Sequence, residues 1–171
     1  MSFVNRGLIR SFKYGKQPQL YIHEISKDLV KASFSSNPSK LEVGTFSGIP
    51  PLPNMESQLA ISTKNFVPNK DFFNLLQGVF NKHVYEDEAY KLDALNFTSS
   101  YLPIGDYKVV LQFMNQRPEY ENTLGFVRVN GDGIMIKDSY QANDIYELCN
   151  SDGIVTLSDF MLKELQKQLK E

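Results

Sequence analysis

The side chains able to bind a metal or act as nucleophiles are few. The chain holds two histidines, His23 and His83, and one cysteine, Cys149. A structural zinc site takes about four Cys or His ligands, and three scattered candidates do not supply one. Carboxylates could replace some of the missing ligands, but no ligand-like spacing argues for it. His83 follows a helical segment and precedes Tyr85 and Glu86, so it reads as a surface or boundary histidine. His23 and Glu24 lie in a strand-like run, where neighbours point to opposite faces, so adjacency does not pair them. Cys149 closes a helical-looking segment, and the carboxyl pole of a helix disfavours a thiolate. It reads as a buried, inert thiol, and a single cysteine offers no internal disulfide. Ser35 and Ser36 sit in no Gly-x-Ser-x-Gly elbow. Asp106, Glu119, Glu121, Asp132 and Asp138 surround the predicted strands and read as loop-solvating acids. Catalysis by them would need two to meet across a cleft, which their spacing does not demand. The Gly131-Asp132-Gly133 run lacks a dinucleotide fingerprint. A calcium loop with Gly153 at its sixth position would start on Leu148, which has no coordinating side chain. The residues therefore assign no catalytic, cofactor-binding or metal position, and no cofactor is expected.

These side chains must be positioned by a body of 171 residues, with 18 Lys plus Arg against 20 Asp plus Glu. Twelve Phe and nine Tyr supply the bulk of a core, which excludes a disordered or collagen-like chain. The net charge of -2 disfavours a strongly basic nucleic-acid module. Residues 81–160 carry 6 basic and 13 acidic side chains, a net -7 that repels phosphate. Phe113 and Phe126 are the strand aromatics that an RNA-binding sheet would use. No run approaches the ~20 apolar residues of a membrane span.

Periodicity places the elements. Gln19–Ile25 reads as a strand, Leu29, Val30 and Ala32 as a short helix or turn, and 33–40 as a polar turn. Residues 43–54, with three prolines and two glycines, read as a loop. Ser57–Thr63 is a candidate strand. Asn69 caps a helix over 70–82 with Phe72, Leu76, Val79 and Phe80 on one face. The acids at 86–88 start a second short helix that runs to about Ala94. Tyr107–Met114 reads as an internal strand. Gly125–Val129 and Ile134–Lys137 flank Asn130-Gly131-Asp132-Gly133, a hairpin signal. Ala142–Cys149 reads as helical. Thr156 and Asp159 have capping-box spacing before a C-terminal helix over 157–170 striped by Met161, Leu165 and Leu169. The expected fold is α+β, a small mixed or antiparallel sheet with a 125–137 hairpin, packed by two or three helices including the C-terminal one. It forms a single domain over 17–171.

Residues 1–16, MSFVNRGLIRSFKYGK, stand apart: four basic residues and no acid before Glu24. Wound as a helix, Val4, Leu8 and Phe12 share one side, and Arg6, Arg10 and Lys13 the other. No apolar stretch of about 7 residues marks a secretory signal. The segment resembles a mitochondrial presequence, and Arg10-Ser11-Phe12 resembles the site cut by the matrix processing peptidase, with the cut after Phe12. Losing 1–16 would take the net charge from -2 to -6. The expectation is a matrix protein that works by contact: a non-catalytic interaction subunit or assembly and maintenance factor of a mitochondrial complex. Its partner is a protein, and an acidic surface selects a basic one. The alternatives are a small mitochondrial enzyme using carboxylates and tyrosines, and an RNA-associated or ribosomal accessory protein.

Overall fold

The computed structural model describes residues 9–47, 59–109 and 117–170. Its pairings are antiparallel throughout and build five-, three- and two-stranded sheets. Among the described residues three α-helices accompany them, so the α+β class and the C-terminal helix stand as the sequence predicts. Contacts group the chain into two compact units. The first is 1–73 with 148–154 and 166–171, and the second is 74–147 with 155–165.

In the first unit the strands run in chain order: β1 (Arg10–Lys13), β2 (Tyr21–Glu24), β3 (Val30–Ser33), β4 (Gly44–Phe46) and β5 (Phe66–Pro68). Arg10–Lys13 is thus a strand and not part of a helix. Tyr14 N–H donates to the Leu20 carbonyl at 2.9 Å, closing a turn that brings β1 back onto β2. Arg10 Nε then meets Glu24 Oε2 at 2.5 Å. Strand pairing satisfies the backbone here without the external apolar surface that an amphipathic helix needs. Val30 and Ala32 belong to β3 and not to a helix or turn, because Leu29 closes a tight reversal onto Ile25. Gly44–Phe46, inside the expected loop, forms β4, and the paired prolines lie outside the described residues. Residues 59–62 have no regular secondary structure and Thr63 opens a turn, so the expected strand is absent among the described residues; Ile61 N–H donates instead to the Tyr14 hydroxyl at 3.0 Å.

Pro68 shows how the sequence limits this sheet. Asn69 N–H bonds the Val43 carbonyl, so the neighbouring Gly44–Pro68 pair is a non-hydrogen-bonded one. The absent proline N–H faces the open edge, where a proline is tolerated. A β-carbon on Gly44 would lie 2.4 Å from both the Phe66 ring and the Val67 carbonyl. The two-stranded sheet pairs β9 (Cys149–Asn150) with β10 (Gly153–Ile154). Phe34 and Phe72, both fully buried, stack with ring centroids 5.9 Å apart.

Helix α1 (Lys70–His83) opens as its sequence predicts, with Asn69 Oδ1 accepting from Asp71 N–H at 3.0 Å. Its Leu76, Val79 and Phe80 are buried in the second unit. After a 3-10 turn at Val84–Glu86, Asp87 caps α2 (Glu88–Ala94). The three-stranded sheet follows the order β6 (Tyr101–Gly105), β7 (Thr123–Arg128), β8 (Gln141–Ala142). The tight turn at 130–133 forms, with Val129 bridged to Met135, but β7 takes its outer partner from β8. Tyr107–Val109 is a bend, and the rest of the expected 107–114 strand lies outside the described residues.

Two further local expectations fail. Ala142–Cys149 is not a helix. Asn143 Nδ2 donates to the Thr123 carbonyl at 2.9 Å, and its Oδ1 accepts from Ile145 N–H, which spends this segment on turns. Helix α3 (Asp159–Lys170) begins later than the Thr156 box requires. Ser158 is its cap, with Oγ accepting from Met161 N–H at 3.2 Å. Met161, Leu165 and Leu169 are the buried stripe.

Gly44→Ala forces the Phe66 ring and a backbone carbonyl apart. A loss of about 1–3 kcal/mol is expected from urea denaturation, with an unchanged slope.

Candidate functional sites

Two clusters bring chemically capable groups together, one in each unit. In the second, Asp106 directly follows β6, and its side chain is sealed from solvent. Its Oδ2 accepts from the Tyr146 hydroxyl at 2.5 Å, and Lys108 Nζ lies 2.9 Å from the same oxygen. That ammonium is 1% exposed and makes no well-directed hydrogen bond, so its attraction to Asp106 is Coulombic. It also lies 5.2 Å from the centre of the Tyr146 ring, a cation–π contact. Tyr146 thus serves both ions, one through its hydroxyl and the other through its ring. Burial pushes the Asp106 carboxyl above its ordinary range, against the opposing pull of Lys108 and the hydrogen bonds.

Nearby, Tyr90 is fully buried and donates to the Gly105 carbonyl at 2.6 Å. Asp87 accepts from Ala89 N–H at the start of α2 and from the Ser158 hydroxyl at 2.6 Å, which couples the caps of two helices. Tyr140, also buried, donates to Gln77 Oε1 at 2.5 Å. Burial raises the ionisation of Tyr90, Tyr140 and Tyr146 well above that of a free phenol.

In the first unit, register places Ser11 directly opposite His23. Ser11 Oγ and His23 Nδ1 are 2.7 Å apart, and His23 Nε2 lies 2.9 Å from the Ser35 carbonyl. A carbonyl only accepts, so the ring proton sits on Nε2 and the Nδ1 lone pair receives the Ser11 hydroxyl. His23 is fully buried while Ser11 is exposed. Burial lowers the imidazole's affinity for a proton, the Ser35 bond opposes this, and the charge of Lys31 adds to the lowering. Lys31 is the β3 partner of His23, and Tyr21 stacks on the ring at 6.3 Å.

His83 bonds Glu86 at 2.8 Å and lies 3.6 Å from Glu164, at the boundary. Cys149 is buried, in β9 and not at a helix end. Glu119, Glu121, Asp132 and Asp138 are exposed, but Asp106 is not a loop-solvating acid. Among the described residues, no group of three His, Cys, Asp or Glu side chains is arranged to hold a metal ion. Among the same residues, no helix is long and apolar enough to cross a membrane. Comparison with protein-family models, curated proteins and solved structures returns no match. Sequence reasoning missed both clusters. The lone signal for the first was an acid and a lysine two residues apart, and for the second a serine and a histidine at strand-pairing distance.

Two outcomes test the buried cluster. Lys108→Met leaves Asp106 without a countercharge and costs about 3–5 kcal/mol. In a double-mutant cycle by urea denaturation, Asp106→Leu combined with Lys108→Met recovers most of that loss. The buried phenols keep their protons in the fold while those of the unfolded chain ionise near pH 10.0. Stability is therefore intact below that pH and falls above it, by about 1.4 kcal/mol per pH unit for each phenol. Tyr146→Phe lessens that slope.

Proposed function

We propose that the chain is a protein-interaction subunit or assembly factor, addressed to the mitochondrial matrix, whose second unit binds its partner through one sheet face. The observation that carries this reading is an exposed aromatic surface. Register puts Tyr101, Pro103, Phe126, Arg128 and Gln141 on the same side of the β6–β7–β8 sheet. Tyr101 is 49% exposed and Tyr120 53%. The Tyr120 ring stacks on Phe126 with centroids 6.4 Å apart. The opposite side carries Leu102, Ile104 and Val127, all buried. On this side Tyr101 and Arg128 are exposed, Phe126 is half-buried and Pro103 buried; Tyr, Phe and Arg on a regular scaffold are the residue types that anchor protein interfaces, because they bring large contact areas at low conformational cost.

Charge supports a basic partner. The sequence of the second unit holds 7 basic and 13 acidic side chains, a net -6, against 11 and 7 in the first, a net +4. The net negative charge of the unit as a whole speaks for a basic protein over an RNA backbone. A carboxylate–tyrosine enzyme would draw on Asp106 and Tyr146, but those groups are closed to any dissolved substrate.

The address rests on the composition of residues 1–16. A cut after Phe12 would remove three of the four residues of β1 and the Arg10 partner of Glu24. The reading therefore keeps Arg10 in the mature chain. Amino-terminal sequencing of the protein from isolated mitochondria is expected to find Arg10 present; residence in the cytosol would overturn the address.

The interaction is tested by affinity capture of the tagged full chain from matrix extract. A stoichiometric protein partner is expected. Its affinity should fall by about tenfold or more for Tyr101→Ser combined with Tyr120→Ser, with unchanged circular dichroism. A partner indifferent to those changes, or none, sinks the reading.

A further inference from the structure

The Ser11–His23 pair goes beyond contact, and it uses residues of the first unit that the aromatic face does not involve. We propose that Ser11 is a nucleophile that accepts acyl groups from activated esters, with His23 as its base. Three observations carry the proposal.

The first is the hydrogen-bond chain. The Ser11 hydroxyl donates to Nδ1 at 2.7 Å, and the Ser35 carbonyl holds the Nε2 proton at 2.9 Å. The ring is thereby fixed in the tautomer that can take the hydroxyl proton, the arrangement of an activated serine whose base is oriented by a third group. The second is access. Ser11 is exposed while His23 lies beneath it, fully buried and stacked on Tyr21. A substrate can reach Oγ, and water does not compete for Nδ1.

The third is the backbone. Tyr14 N–H bonds the Leu20 carbonyl, so alternation makes Ser11–His23 a non-hydrogen-bonded pair. The Ser11 amide therefore faces away from β2, on the outer side of a strand whose described pairing is with β2 alone. It is available as a donor to an oxyanion formed on the carbonyl that Ser11 attacks.

The charges define the substrate class. Lys13 stands two residues along the same face, exposed, with its ammonium 5.8 Å from the Tyr21 ring centre. Lys31, opposite His23, is 3.9 Å from Glu42, which offsets its charge. Lys13 is the cation left to meet an anionic group on the acyl chain. The donor is accordingly an ester or thioester of an acid that carries a second carboxylate.

The step balances. Oγ bonds to the acyl carbon as its proton passes to Nδ1. The tetrahedral oxyanion collapses, the bond to the leaving group breaks, and the departing alkoxide or thiolate takes the proton from Nδ1. Water then attacks the acyl-serine, giving up its proton to Nδ1, and Ser11 leaves with that proton. The net reaction is ester plus water to acid plus alcohol.

The test uses the full chain with 4-nitrophenyl succinate and 4-nitrophenyl acetate. Nitrophenol release and the mass of the intact and digested protein are followed. One acyl group per chain is expected, on the peptide holding Ser11. Ser11→Ala should lower the acylation rate by about 100-fold, and Ser11→Cys should retain labelling at that position. The rate should fall with acid only below the ordinary imidazole value of 6.5, since burial keeps His23 neutral above it. Lys13→Ala should remove the preference for succinate over acetate. Label spread over lysines, or Ser11→Ala acylated as fast as the parent, overturns the proposal. Loss of labelling in Ser11→Ala counts in its favour when circular dichroism and Ser11→Cys labelling show the fold intact. Absence of label from both parent and Ser11→Cys counts against it.

Discussion

The Asp106 carboxylate has to be satisfied in a place without water. A buried ion costs several kcal/mol unless opposite charge and hydrogen bonds meet it, and in the second unit the charge comes from two residues on and the hydrogen bond from far along the chain. Lys108 supplies the charge and Tyr146 the hydroxyl, 40 residues away. That single bond gives the irregular stretch between β8 and β9 its place. Asn143 holds the start of the same stretch through the Thr123 and Leu124 carbonyls. The Asp87–Ser158 bond acts in the same way on helices, since one carboxylate serves the cap of α2 and holds the serine that caps α3. The core of this unit is therefore specified by polar pairs set among apolar side chains such as Leu102, Ile104, Val127 and Met161.

The first unit uses the same rule with smaller charges. His23 is fully buried, yet both ring nitrogens have partners, so it can remain neutral at little cost. Glu24, its neighbour on the opposite face of β2, meets Arg10. Strand β1 thus places one polar partner on each face of β2. This ties the basic amino-terminal segment to the sheet from Arg10 onward.

The two units present different chemistry to a visitor. The first shows a polar sheet face with a hydroxyl, a buried imidazole and lysines. The second shows tyrosines, a phenylalanine and an arginine over an apolar sheet, in a sequence rich in acids. The groups with the largest ionisation shifts are sealed within the second unit. Their role is to hold its structure.

The amino-acid sequence by itself determined what depends on near neighbours. The apolar stripe of α1, its Asn69 cap, the stripe of α3 and the turn at Asn130–Gly133 are local, because helix periodicity and turn chemistry act over about four residues. Tertiary structure decided the rest. Ala142–Cys149 has helical composition, but Asn143 and Tyr146 are held by carbonyl and carboxylate groups elsewhere in the chain. Thr156 has the spacing of a cap, yet Ser158 takes the position because Asp87 receives its hydroxyl. The amino-terminal residues can be drawn as an amphipathic helix, but β2 offers Arg10–Lys13 a strand partner. Ser11 and His23 became a pair only when sheet register set them opposite each other, and register is a property of two segments that neither one encodes alone.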